Sequence, residues 1–310
     1  MFGTGLVLII RGGDRFVTAA ASIARLSGIP PFVIGATVVS VATTLPELLV
    51  SVTAAASGQS DMAVGNAVGS VTANTALILG LTLLIAPAAA QSGYKLKSLI
   101  LFAAITMLWA FSLGGELTVV GSAVMSAAFI GYTYLTVREA KAHRIPAADV
   151  DISDRSQGIK SAFSFVLGAS AIIVGSRLLV DNGTLIAREI LCVDERVISL
   201  TMLAVGTSLP ELVTAVSAIA KGQSALTAGN ILGANIIDTL LILPICCFIG
   251  GGSLPVSIGT ITTDLPVCLL AAVITLLPMI VRSRFFRLQG AAAIVLYMLY
   301  ITKIAFSIVF

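Results

Sequence analysis

Two glutamates are the residues of this sequence best placed to do chemistry, because each follows a proline inside an otherwise apolar segment. Glu47 ends a T-T-L-P-E segment, and Glu211 ends a T-S-L-P-E segment. Proline removes a helix N–H and displaces the carbonyl four residues earlier, and a carboxylate in the middle of a membrane span costs roughly 2.5–3.5 kcal/mol. A bound cation would attract both the carboxylates and the displaced carbonyls, so the pattern predicts a cation site.

Hydroxyl side chains beside the two glutamates would add neutral oxygens to this site. They are Thr43, Thr44, Thr207 and Ser208. A set of oxygen ligands suits hard cations such as calcium, sodium or magnesium, and argues against softer transition metals. The one histidine, His143, lies in a polar stretch, so neither a histidine-based zinc site nor a catalytic histidine is expected.

The two segments are copies of one longer repeat. An offset of 164 residues aligns them without a gap, and 16 of the 36 positions from 40 to 75 are identical to their counterparts. The repeat continues into G-N-A-V-G-S from Gly65 and G-N-I-L-G-A from Gly229, and it ends with Asn74 opposite Asp238. Glycines at this spacing are typical of helix packing, but duplication of the whole set favours a cation pathway.

Composition places these segments in a membrane. The chain of 310 residues is 57% hydrophobic and 11% charged, whereas an ordinary soluble domain has about 25% charged residues. A span needs roughly 20 apolar residues, and about ten spans fit. The prediction is therefore an all-α polytopic membrane protein with ten transmembrane helices. The first span, about 1–27, is interrupted by the charged segment 11–15.

The repeat predicts the domain organisation. Five spans separate equivalent points, and an odd number means that the two five-helix repeats are inverted relative to each other. We expect the first repeat at 1–137, a linker at 138–158 and the second repeat at 159–310. Most Lys and Arg residues outside the spans, Lys97 among them, fall on the side of the linker. The positive-inside rule makes that side cytoplasmic, with both termini outside the plasma (inner) membrane.

Composition and the repeat also indicate which partners to expect. Membrane lipid is expected around the chain, no nucleic acid is expected, and the internal pair of repeats favours function as a monomer. The cysteines lie in or beside apolar runs without metal-ligand spacing, which indicates buried free thiols. They are Cys192, Cys246, Cys247 and Cys268.

With the motifs in place, the sequence resembles the cation/calcium antiporter superfamily, in particular the prokaryotic sodium/calcium exchangers. The G-T-S-L-P-E and G-N-x-x-G-[SA] segments look like the alpha-1 and alpha-2 repeats of that family, and the resemblance covers nearly the whole chain. It implies a transporter rather than an enzyme, which exchanges sodium for calcium by alternating access. Calcium and sodium would be transported ions, and no covalent cofactor is implied.

The resemblance also implies roles for individual residues. Calcium would be held by Glu47 and Glu211 with the backbone oxygens of Thr43 and Thr207. Asn74 and Asp238 would line a middle site. The sodium ligands would be the hydroxyls of Ser70, Ser208 and Thr207 and the backbone oxygens of Ser40 and Ala204.

The sequence departs from the family pattern at two positions. Ala234 stands where the family commonly has serine, so one outer sodium site would be short of a ligand, although the equivalent Ser70 keeps its hydroxyl. Thr44 replaces the usual serine and preserves the hydroxyl.

Three other functions stay open at this point. The first is a calcium/proton or potassium-dependent exchanger, because two facing carboxylates can also bind protons. The second is a cation channel, which usually assembles from identical subunits, whereas this chain carries its own pair of repeats. The third is an intramembrane aspartyl protease, which needs two aspartates in reach, and only Asp238 is clearly within a span.

Overall fold

A computed structural model describes residues 1–87, 93–142, 152–189 and 206–309, and these residues are almost entirely helical. Two short strands, β1 (Glu116–Thr118) and β2 (Ser253–Pro255), pair in antiparallel register. The helices are α1 (Phe2–Ser27), α2 (Pro31–Thr43), α3 (Leu45–Ala56), α4 (Ser60–Ile85), α5 (Tyr94–Ser112), α6 (Val119–Ala142), α7 (Ile152–Glu189), α8 (Leu209–Ala220), α9 (Ser224–Ile249), α10 (Thr260–Arg282) and α11 (Arg287–Val309).

Several of these helices are long and apolar enough to cross a membrane, as expected for a polytopic membrane fold. Within the described ranges there are six such segments, namely α4, α5, α6, residues Gln157–Leu178 of α7, α9 and α10. A seventh is added when α2 and α3, which meet at a bend of 46°, are counted as one broken span. The count of ten spans and their inverted arrangement stay predictions.

Helix α1 runs through the charged segment that was expected to interrupt it, so that expectation was wrong. Arg11, Asp14 and Arg15 lie on the exposed face of the helix, whereas Gly12 and Gly13 are buried. A Cβ added at Gly12 would lie 2.9 Å from the Cβ of Ala171 in α7. The charges do not break α1 because they share the face opposite to its packing surface.

The sequence repeat is accompanied by a repeat of helices. The offset of 164 residues that aligns the motifs relates α3 to α8 and α4 to α9 with both ends of each helix coinciding. The breaks before α3 and α8 also match, because Thr44 has φ −84° and ψ −1° and Ser208 has φ −86° and ψ 4°. Local sequence therefore produces the same broken geometry twice.

Glycines bring α2 directly onto α9. A Cβ added at Gly229 would lie 2.1 Å from the carbonyl oxygen of Phe32, and one at Gly233 would lie 2.6 Å from the Ser40 Oγ. Neither contact tolerates a side chain, so the two backbones approach closely only because both positions are glycine. This approach places the carboxyl end of α2 beside the polar residues of α9.

A buried ion pair that the sequence did not suggest joins the first turn of α5 to the last turns of α6. Lys97, expected among the cytoplasmic charges, is only 1% exposed and is paired with Glu139 of α6. Its ammonium also lies 4.7 Å from the centroid of the Phe32 ring at the start of α2. Helix α6 ends at Ala142 and α7 begins at Ile152, so helix extends into both ends of the predicted linker. The domain boundaries stay a prediction.

Candidate cation-binding site

Three carboxylates lie in the interior of the fold. Glu47 is 1% exposed, and Glu211 and Asp238 are fully buried. Glu47 interacts electrostatically with both of the others, and Glu211 also interacts with Asp238. In the described part of the chain, none of their six oxygens has a hydrogen-bond partner. Buried carboxylates without partners need protons or a bound cation for compensation, because a buried charge without a partner costs several kcal/mol.

Helix termini supply part of that compensation. Glu47 lies in the first turn of α3 and Glu211 in the first turn of α8. The positive end of a helix dipole stabilises a carboxylate by up to about 2 kcal/mol. This is less than the cost of burying an ionised carboxylate. The helix ends alone therefore do not account for the two glutamates.

Two equivalent hydrogen bonds join the halves of the chain. The Thr43 Oγ1 donates to the Asn230 Oδ1 over 3.2 Å, and the Thr207 Oγ1 donates to the Asn66 Oδ1 over 3.2 Å. Each bond runs from the broken segment of one half to the asparagine helix of the other. The structure thus brings the two motifs together, so that each half completes the polar surroundings of the other.

The hydroxyl groups named from the sequence lie in the same interior region. The Ser70 Oγ is 3.3 Å from the Thr207 Oγ1. The hydroxyls of Thr44 and Ser208 are buried and, within the described residues, without a hydrogen-bond partner. The hydroxyls of Thr43 and Thr44 lie close to Glu211, but within the described residues neither makes a hydrogen bond to its carboxylate.

The backbone oxygen of Ser40 is already engaged within its own helix. The Ser40 carbonyl accepts a hydrogen bond from the Thr44 N–H at 2.9 Å and a longer one from the Thr43 hydroxyl at 3.4 Å. It therefore already serves the last turn of α2. Ala204, which was expected to offer the equivalent carbonyl, lies outside the described residues.

Asn74 and Asp238 occupy matching positions at the start of two unusual helical turns. Asn74 lies in a π-helical segment of α4, Ala73–Ile78, and Asp238 begins one in α9, Asp238–Ile242. Among the described residues, neither side chain has a hydrogen-bond partner, although both are buried. Turns of this kind are frequent at functional sites, and the middle site assigned to the pair stays a prediction.

A cation at this position would need neutral ligands. Across residues 1–87, 93–142, 152–189 and 206–309, no group of three or more His, Cys, Asp or Glu side chains forms a metal centre. Carboxylates would thus fill only part of a coordination shell, and hydroxyl or carbonyl oxygens would supply the rest. The thiols of Cys246, Cys247 and Cys268 are buried and free, and Cys192 lies outside the described residues.

Sequence reasoning missed one residue that supports the site. Ser51 accepts a hydrogen bond from the Asn66 Nδ2 at 2.9 Å, and the same Nδ2 donates to the Glu47 carbonyl at 3.3 Å. A signal was available, because Ser51 lies four residues after Glu47 and thus on the same face of α3.

Comparison with known proteins gives one consistent result. The family model described as "Sodium/calcium exchanger protein" matches residues 1–138 and 160–308. The chain is 36% identical over 261 residues to the inner membrane protein YrbG of Escherichia coli K12, covering 81% of this chain and 79% of that protein. It is 30% identical over 278 residues to the sodium/calcium exchanger MaX1 of Methanosarcina acetivorans, and the match covers 77% of this chain and 79% of that protein.

A solved structure extends the similarity to three dimensions. The structure of the sodium-calcium exchanger NCX_Mj soaked with 10 mM Na⁺ and no Ca²⁺ superposes with a TM-score of 0.86 at 28% identity. The match covers 97% of this chain and 96% of that one. The similarity therefore extends over nearly the whole chain and is not limited to the two motifs.

Proposed function

The chain belongs to the sodium/calcium exchanger family, and we propose that it exchanges sodium for calcium across the membrane. One observation carries the proposal: Glu47 and Glu211 are buried together and, among the described residues, have no hydrogen-bond partner. Two carboxylates match the charge of one calcium ion. Hard cations with oxygen ligands are the class of ion that this donor set suits.

Calcium and sodium would use different parts of the same interior region. Calcium, as a divalent ion, depends most on the carboxylates of Glu47 and Glu211, with backbone oxygens of Thr43 and Thr207 completing its shell. Sodium carries one charge and relies more on neutral oxygens. We assign these to the hydroxyls of Ser70, Ser208 and Thr207 and to the backbone oxygens of Ser40 and Ala204.

The proposed transport cycle is alternating access between two inverted five-helix repeats with ten spans in total. The coincidence of α3 with α8 and of α4 with α9 under one offset supports a repeat. Broken helices that meet near the midplane are a common arrangement in transporters built from inverted repeats. The proposed repeats comprise residues 1–137 and 159–310.

Orientation and assembly belong to the same proposal. We place the chain in the inner membrane with the linker at 138–158 in the cytoplasm and both termini outside, which agrees with the excess of Lys and Arg near the linker. Because one chain supplies both halves of the site, the monomer is the proposed transporting unit, surrounded by lipid.

A potassium-dependent or proton-coupled exchanger is the second candidate. The observation that favours it is Asp238, a third buried carboxylate without a partner in the described residues, opposite Asn74 in the repeat. A third acidic group could hold an additional monovalent ion or a proton.

Calcium uptake into proteoliposomes distinguishes these functions. Sodium, proton and potassium gradients are imposed separately on vesicles that contain the purified protein, and calcium entry is measured with an indicator dye. We expect an outward sodium gradient to drive uptake and proton or potassium gradients alone to fail. Uptake that follows only a proton gradient would refute sodium coupling.

A further inference from the structure

The two equivalent asparagines differ in how firmly their amides are held. In the first half, the Asn66 Nδ2 donates to both the Glu47 carbonyl and the Ser51 hydroxyl. In the second half, the Asn230 Nδ2 is buried and has no hydrogen-bond partner in the described part of the chain. The offset shows one reason, because the counterpart of Ser51 is Ala215, which has no hydroxyl.

The anchor of Asn66 fixes the direction of the next hydrogen bond. A carbonyl oxygen only accepts, so the group that faces the Glu47 carbonyl must be the Nδ2. The Oδ1 of Asn66 is then turned towards Thr207, and because this oxygen also only accepts, Thr207 is the donor of the hydrogen bond between them. The proton of Ser70 is the one that lies between the Ser70 and Thr207 oxygens, which are 3.3 Å apart.

A hydroxyl binds a cation through its lone pairs, so its proton has to point away from the ion. The Ser51–Asn66 pair imposes this orientation on Thr207 before any ion arrives. Asn230 imposes no such orientation on Thr43, because Thr43 is able either to donate to the Asn230 Oδ1, as observed at 3.2 Å, or to accept from the Nδ2 while donating to the Ser40 carbonyl. One half is therefore pre-organised, and the other is adjustable.

We propose that Ser51 and Asn66 are positioning residues that hold the Thr207 hydroxyl ready to bind sodium, and that the Thr43 side of the site lacks this device. The inference rests on the proposed transport of sodium and calcium, and it adds a specific source of ion preference. A pre-organised neutral oxygen lowers the ordering cost of binding. This matters more for sodium than for calcium, which the carboxylates attract.

The first test is the substitution Ser51→Ala, with Ala215→Ser as its mirror image. We measure the melting midpoint of the purified protein in detergent at increasing sodium. An ion that binds only the folded state stabilises it by RT ln(1 + [ion]/Kd), so the sodium concentration needed for a given rise in the midpoint reports the affinity. Loss of one neutral hydrogen bond predicts that Ser51→Ala needs about threefold to tenfold more sodium for the same stabilisation. We expect a smaller change in the calcium titration.

Two controls separate this role from a loss of packing. Ser122→Ala removes another buried hydroxyl, on α6, that has no hydrogen-bond partner in the described residues, and it should leave the sodium titration unchanged. Ala215→Ser supplies the missing anchor to Asn230 and should leave the titration unchanged or shift it to lower sodium. A loss in Ala215→Ser as large as that in Ser51→Ala would overturn the proposal, since any change on this helix face would then suffice.

The readout also separates this inference from the proposed function. Stabilisation by sodium reports binding whether or not calcium is transported, so a sodium effect that weakens in Ser51→Ala supports the inference even if sodium-driven uptake fails. Identical sodium titrations for the wild type and Ser51→Ala would overturn the inference even if uptake succeeds. Absence of any stabilisation of the wild type by sodium would overturn it as well.

Discussion

Thr43 and Asn230, which are separated by 187 residues in the chain, are joined by a hydrogen bond of 3.2 Å between their side chains. The equivalent bond between Thr207 and Asn66 has the same length. Each half of the repeat thus holds a hydroxyl of the other, directly beside the buried glutamates. An ion bound here would contact both halves, which is the condition for coupling its binding to their relative movement.

The first prediction concerns the charge of the two glutamates. Glu47→Gln and Glu211→Gln each keep the size of the side chain but leave one negative charge for a divalent ion. A hydrogen bond or contact to a charged group contributes about 1.5–3 kcal/mol, or about tenfold or more in affinity. We expect calcium uptake into proteoliposomes to fall at least tenfold in both variants while the protein still purifies as a folded monomer. Near-normal exchange in both would remove the basis for the calcium site. Glu116→Gln is the matched control, because Glu116 is an exposed residue of strand β1, and it should transport normally.

The second prediction concerns Asp238. Asp238→Asn makes the middle position symmetric with Asn74 and removes one buried carboxylate. If Asp238 supports a potassium site, calcium uptake in the wild type should rise with external potassium and the variant should lose that rise. A wild type that does not respond to potassium excludes this role, and sodium coupling would then rest on the neutral oxygens.

The third prediction concerns Ala234, the position that lacks the hydroxyl of its counterpart Ser70. A buried polar group that lacks its partner costs about 1–3 kcal/mol, so Ala234→Ser should lower the sodium concentration for half-maximal exchange by about fivefold or more. The calcium dependence should change less. Sodium titrations of calcium flux measure both. Ser70→Ala should shift the sodium curve in the opposite direction. An unchanged curve in Ala234→Ser beside a clear loss in Ser70→Ala would show that the two positions are not equivalent.

The fourth prediction concerns the contact between α2 and α9. Gly229→Ala places a Cβ 2.1 Å from the carbonyl oxygen of Phe32, which is backbone and has no rotamer to change. We expect a loss of stability of about 1–3 kcal/mol, measured by thermal unfolding in detergent. Gly131→Ala on α6 is the control, because nothing lies within 4 Å of its added Cβ. Its higher helix propensity should leave stability equal or up to about 1 kcal/mol higher. Equal effects of the two substitutions would contradict the close packing at Gly229.

The fifth prediction compares a buried ion pair with an exposed one. Glu139→Gln leaves the buried ammonium of Lys97 without its counter-ion, which should destabilise the protein by about 3–5 kcal/mol. Lys221→Met breaks the pair of Lys221 with Asp14, which lie 2.6 Å apart at the surface. That pair should contribute at most about 1 kcal/mol. Thermal unfolding in detergent at fixed salt measures the stability of both variants. A larger loss of stability in Lys221→Met than in Glu139→Gln would contradict the prediction that the buried pair contributes more.

The sequence alone determined the class of protein and most of the candidate residues. A charged fraction of 11% excludes a large water-facing surface. A proline followed by a glutamate in an apolar segment disfavours an unbroken helix, so Glu47 and Glu211 could be recognised without coordinates. The offset then predicted equivalent elements, and the coinciding ends of α3 and α8 confirm that equivalence.

Only the tertiary structure decided which residues meet. An offset relates Thr43 to Thr207 and Asn66 to Asn230, but it does not show that each threonine contacts the asparagine of the other half. It also does not show which charges are buried: Arg11 and Arg15 lie on the exposed face of an unbroken helix, whereas Lys97 is enclosed with Glu139. Contacts and burial depend on how distant helices pack, and that arrangement reflects the shape of the whole assembly rather than any local run of residues.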